Sequence, residues 1–128
     1  MTQKSKYTIL IVLISLSSVT IFPVLAQETS SVTITQGASS SQSCVSAKIC
    51  FEPSIINVKV GTEVIWVNTD QVSHTVTSGN PSDNQTGTVF DSGLIKPGKD
   101  FGFTFKNPGT YHYFCMINPW VTGEVIVD

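Results

Sequence analysis

No arginine occurs in the 128 residues, and charged residues of every kind make up only 12% of them. Seven lysines face nine acids, for a formal charge of −2. That excludes a basic nucleic-acid footprint and leaves a mildly acidic surface that suits solubility. No acid/base pair or nucleophile–base grouping stands out, so the sequence does not argue for an enzyme. Internal repeats are absent, and no segment after residue 44 keeps a helical period. Histidine is limited to His74 and His112, and cysteine to Cys44, Cys50 and Cys115. A chain this short holds one domain, and most of it must join the core.

The one long apolar run is N-terminal. Residues 7–26 carry no charge and follow Lys4 and Lys6. Val24 and Ala26 put small or apolar residues at −3 and −1 before Gln27, as in a secretory signal. About 20 uncharged residues can also just span a bilayer, so a retained anchor is the rival. A buried core helix is the third reading, disfavoured because no later helix could cover it. No cysteine stands near the end of the run, which argues against a lipid-modified lipoprotein. Residues 1–26 are therefore expected to be a signal peptide or N-terminal membrane anchor. The rest is expected to be exported, to an extracellular, periplasmic or cell-surface location, with membrane contact only if the run is uncleaved.

Residues 27–43 are rich in Ser, Thr, Gln and Gly and poor in large apolar residues. Such a stretch buries too little to offset its ordering entropy, so it is expected to be a flexible tether. From Cys44 onward the texture changes, and residues 44–128 form the expected domain. Ile56, Val58 and Val60 alternate with Asn57 and Lys59. Phe101, Phe103 and Phe105 alternate with Gly102 and Thr104. Tyr111, Tyr113 and Cys115 alternate with His112 and Phe114. Short period-two runs broken by Gly, Pro and Asn are the mark of a β-sandwich or barrel. The spacing predicts an all-β, antiparallel sandwich of about seven strands. Asn84-Gln85-Thr86 is a glycosylation sequon in the long turn-rich stretch 79–100.

An odd number of cysteines leaves one thiol over in an exported chain. Cys44 and Cys50 flank a short stretch where the tether meets the first strand. A disulfide there would clamp the start of the domain, for about 2–3 kcal/mol on the chain-entropy account. Two free thiols or a separate cysteine metal site are the alternatives. Cys115 ends an aromatic strand and is either a buried core residue or a thiolate metal ligand.

Several pieces in order resemble the plastocyanin/azurin type of cupredoxin, the blue copper family. They are Phe51-Glu52-Pro53; Gly61-Thr62-Glu63-Val64-Ile65-Trp66-Val67-Asn68; His74-Thr75-Val76; Phe90-Asp91-Ser92-Gly93; Pro108 through the aromatic run into Cys115; and Gly123-Glu124-Val125-Ile126-Val127. The resemblance covers about residues 50–128, and the small exported form with an early Cys pair is similar to archaeal members. It implies a cupredoxin-like Greek-key sandwich and one copper ion held by two imidazoles, a thiolate and a weak axial methionine. It also implies electron transport to a partner protein, which the sequence does not identify, by a monomer that is not an enzyme.

The ligand loop departs from the family pattern. Asn118 stands at the second-histidine position and Val121 at the axial-methionine position, while Pro119 and the loop length are kept. The candidate metal ligands are His74, Cys115 and the amide of Asn118, the last a weak donor. His112 should face away from Cys115 because strand side chains alternate. Met116, next to Cys115, should also point to the opposite face. Phe114 and Trp120 are the candidate partner-docking residues, expected at the surface near the loop. Three readings stay open. The first is a copper electron carrier with a non-standard site. The second is a cupredoxin scaffold that has lost its copper and serves as an extracellular binding module. The third is an open-site copper enzyme.

Overall fold

The computed structural model describes residues 11–23, 26–39 and 42–128. Residues 1–10 and 24–25 of the expected signal or anchor lie outside the described residues. Residues 11–23 form no helix or strand and their side chains are exposed. No helix among the described residues is long and apolar enough to cross a membrane.

The strands follow the alternation of apolar residues. They are β1 (Thr29–Ile34), β2 (Phe51–Glu52), β3 (Ile55–Val58), β4 (Glu63–Asn68), β5 (Thr77–Ser78), β6 (Asp100–Thr104), β7 (Gly109–Phe114) and β8 (Thr122–Val127). One sheet has the order β2-β1-β4-β6 and the other β3-β8-β7-β5. In β4, Val64, Trp66 and Asn68 are buried and the residues between them are half-buried. That is the period-two pattern of a strand with one face on a core. Trp66 sits at the centre, with ring centroids 5.3 Å from Tyr113, 5.7 Å from Phe90 and 5.9 Å from Phe101. Tyr113 has Gly123 opposite it on β8. A β-carbon at Gly123 would run into the Tyr113 ring, so the cross-strand position needs glycine.

The sheets are mixed rather than purely antiparallel. β1 runs parallel to β4, and β3 runs parallel to β8. Strands late in the chain thus pair with strands from its start, which local alternation does not reveal.

Two further expectations are corrected. The segment 27–43 is not a flexible tether throughout, because β1 lies between β2 and β4 and buries Val32 and Ile34 completely. Two inward apolar side chains suffice, since the intervening Ser and Thr residues suit the solvent-side positions of a strand. A short helix, α1 (Gln42–Ala47), also forms where no helical period was visible. It carries Cys44 to Cys50, and the Cys44–Cys50 disulfide is formed.

Candidate metal centre

Cys115 follows β7 directly and is completely buried. Its N–H donates to the Val121 carbonyl at 3.0 Å, and the Val121 N–H donates to the Asn118 carbonyl at 2.9 Å. The loop 115–121 is thereby folded back on itself. His74 comes from the loop between β4 and β5, and its main chain pairs with Ile95 through two hydrogen bonds of 2.8 and 3.2 Å. Its side chain is also completely buried. The two meet, with His74 Nδ1 3.6 Å from Cys115 Sγ.

The surroundings favour a thiolate. The Thr75 N–H donates to Sγ at 3.3 Å. Thr75 Oγ1 accepts the Met116 N–H at 2.7 Å, which ties the ligand loop to the His74 segment. Burial pushes the Cys115 thiol up, but the bond to His74 and the backbone N–H groups of Thr75, Asn118 and Ile117 outweigh it and hold the pKa down to about 7. Burial disfavours His74 as a cation, yet Cys115 and Asp70 on its two nitrogens raise its pKa. On the far side of the ring, Nε2 lies 2.7 Å from Asp70 Oδ2. Burial works against the Asp70 carboxylate, and its bonds to His74, Gly37 and Gln71 prevail, so its pKa falls below the usual value.

Asn118 is buried at the same loop, and its side-chain Nδ2 has no hydrogen-bond partner. Its backbone N–H acts on the Cys115 sulfur. Val121 is completely buried and offers no donor side chain. Among the described residues no group of three or more His, Cys, Asp or Glu converges as a metal cage. The side-chain donors that meet are one imidazole and one thiolate, and Asn118 is buried on the same loop as the thiolate. Two donors about 2.0–2.3 Å from one ion reach a 3.6 Å separation at a bent angle. The pair therefore fits a single thiophilic ion and leaves coordination positions for Asn118 or a further ligand.

His112 points away, as alternation expects. It is half exposed and its Nδ1 lies 3.2 Å from Glu124 Oε2. Phe114 does not present a docking surface: it is 4% exposed. Alternation puts it on the face opposite Cys115, but that face is covered at this position. Trp120 is exposed as expected, together with its loop neighbours Met116 and Ile117. Asp70 escaped the sequence reading, where Asn68-Thr69-Asp70 was only a strand end. The one signal was its spacing of four residues from His74.

Comparison with known proteins finds a matching family and fold. The family described as copper binding proteins, plastocyanin/azurin family, matches residues 38–128. Amicyanin-alpha of Methylorubrum extorquens is 29% identical over 84 residues, which are 64% of this chain and 67% of that protein. Amicyanin of Paracoccus denitrificans is 30% identical over 84 residues, 64% of this chain and 61% of its own length. The chain thus spans about two thirds of these relatives. Among solved structures, a purple cupredoxin from Nitrosopumilus maritimus superposes with a TM-score of 0.66 at 26% identity, covering 77% of this chain and 98% of that one.

Proposed function

Since the chain belongs to the plastocyanin/azurin family of copper-binding proteins, we propose that it is an electron carrier whose single copper ion is held by His74, Cys115 and the Asn118 amide. The observation that carries this reading is the 3.6 Å approach of His74 Nδ1 to the Cys115 sulfur, both side chains being completely buried. Copper, when bound, supplies a one-electron couple. The residues around it supply a buried, pre-shaped cradle. The thiolate is stabilised before metal arrives, because backbone N–H groups already point at it. The ligand loop is pinned to the His74 segment through Thr75. Fixed donors of this kind need little rearrangement when charge changes, which favours rapid electron transfer.

With Asn118 in place of an imidazole and buried Val121 offering no donor, the residues would hold an oxidised copper ion more weakly. The site should therefore favour the reduced ion more than a two-histidine site does. The partner is a redox protein that docks on the exposed apolar loop residues Met116, Ile117 and Trp120. The disulfide and the apolar N-terminal run support an exported location. The rival reading is a cupredoxin scaffold that has given up copper and acts as a binding module. The same substitutions, Asn118 and Val121, favour it.

Titration of the metal-free protein with copper, followed by visible absorption and electron paramagnetic resonance, separates the two. An intense thiolate-to-copper band that disappears in Cys115→Ser is the expected result. Silence in the natural chain, with a blue site in the double variant Asn118→His and Val121→Met, would establish the scaffold reading instead.

A further inference from the structure

We propose that Asp70 is a positioning residue of this centre: it fixes which nitrogen of His74 faces the thiolate and holds a carboxylate charge against that imidazole. The inference rests on the reading of His74 as a ligand, and it adds a residue that the loop sequence around Cys115 does not contain.

Both carboxylate oxygens and the backbone N–H of Asp70 are committed. Oδ2 meets His74 Nε2 at 2.7 Å. Oδ1 accepts the Gly37 N–H at 3.0 Å and the Gln71 N–H at 2.8 Å. Its own N–H donates to Asn68 Oδ1 at 2.9 Å. Asn68 is completely buried and donates from Nδ2 to the carbonyls of Val72, at 2.8 Å, and Ile95, at 2.9 Å. Ile95 is the residue whose main chain pairs with His74. The chain of bonds therefore closes on itself: His74 backbone, Ile95, Asn68, Asp70, His74 ring. Gly37 brings in a second anchor, since it lies on the segment between β1 and the disulfide. There the Thr35 N–H donates to the Cys50 carbonyl at 3.0 Å. Asp70 is thus gripped by the clamped start of the domain on one side and grips the metal ligand on the other.

The chemistry follows from what a carboxylate can do. It only accepts, so the proton it shares with His74 resides on Nε2, and once the ring is neutral the Nδ1 lone pair is left facing Cys115. Carboxylate partners of this sort orient ligating imidazoles and make them stronger donors. A negative charge beside the imidazole also favours the more positive oxidation state of an ion bound to Nδ1, and so lowers the reduction potential. An asparagine of the same shape cannot replace it. Turned one way, its amide hydrogens face the Gly37 and Gln71 donors. Turned the other way, they donate to Nε2 and force the proton onto Nδ1, where the metal should be.

The test has two independent readouts. In the metal-free natural chain, at a pH where the His74 ring is neutral, nitrogen NMR should show the Nε2–H form; a neutral Nδ1–H form would overturn the proposal regardless of copper. In copper-loaded Asp70→Asn and Asp70→Ala, the reduction potential should rise relative to the natural chain, and potentials equal to the natural one would overturn the charge role. If the natural chain takes up no copper, the electron-carrier reading fails, and the tautomer alone decides on Asp70. If the variants fail to fold, the tautomer in the natural chain again decides.

Discussion

Cys115 carries its chemistry before any metal is bound. Its pKa is held down to about 7 by His74 and by three backbone N–H groups acting against burial. In the metal-free protein the thiolate absorption near 240 nm should therefore rise with a midpoint near pH 7, and Cys115→Ser should lack that transition. Metal binding needs the deprotonated sulfur. Below pH 7 uptake must release the thiol proton, so affinity climbs with pH up to about 7 and, for this group, levels off above it. A midpoint near the ordinary thiol value would show that His74 and the amides together do not stabilise the thiolate. The resemblance to the family singled out His74 and Cys115, because each sits in a run whose neighbours match the family pattern, and the two side chains do meet. Asp70 was not, because its role depends on a loop returning the carboxylate under the ring, and loop paths leave little trace in composition. Phe114 was misread for a related reason: alternation tells which face a side chain takes, but not what covers that face.

Strands with strong alternation, such as β4 and β7, were visible in the sequence, and β1 was not. Its apolar content is only Val32 and Ile34, diluted by Ser and Thr, and it reads as low-complexity polar chain. What makes it a strand is a non-local partner: it pairs with β4 over six residues, from Thr29 opposite Glu63 to Ile34 opposite Asn68. Both apolar side chains are completely buried. Removing most of a buried aliphatic side chain costs about 2–5 kcal/mol. Ile34→Ala should lower the unfolding free energy by that order in a denaturant titration, whereas a change in a tether would leave it unaltered. The disulfide differs from β1 in this respect. Its two cysteines are six residues apart, and the pairing is legible from spacing and from the odd count.

The direction of β1 orders the whole molecule. It runs parallel to β4, and β4 leads at Asn68 into the loop that bears Asp70 and His74. The start of β1, at Thr29, therefore lies at the end of the sandwich away from His74 and Cys115. An apolar N-terminal run held in a bilayer would leave the ligand loop facing outward, toward partners. The exposed apolar side chains Met116, Ile117 and Trp120 all belong to that loop, while the opposite end carries the solvent-exposed pair Lys59–Asp128. On the proposed electron-carrier reading, electrons pass through the apolar end, because these exposed side chains share the loop with Cys115. Electron self-exchange tests this without knowledge of the natural partner, because two copies must bring their own metal ends together. Mixing reduced and oxidised copper-loaded protein and following NMR line broadening gives the rate. Ile117→Lys or Trp120→Lys places like charges on both approaching faces, so either change should slow exchange by about tenfold or more, the cost of roughly 1.4 kcal/mol in the encounter. The thiolate-to-copper band should stay as it is. The slowing should ease as salt rises, since screening shortens the reach of exposed charges. Exchange that is indifferent to both substitutions would place the electron path elsewhere on the sandwich.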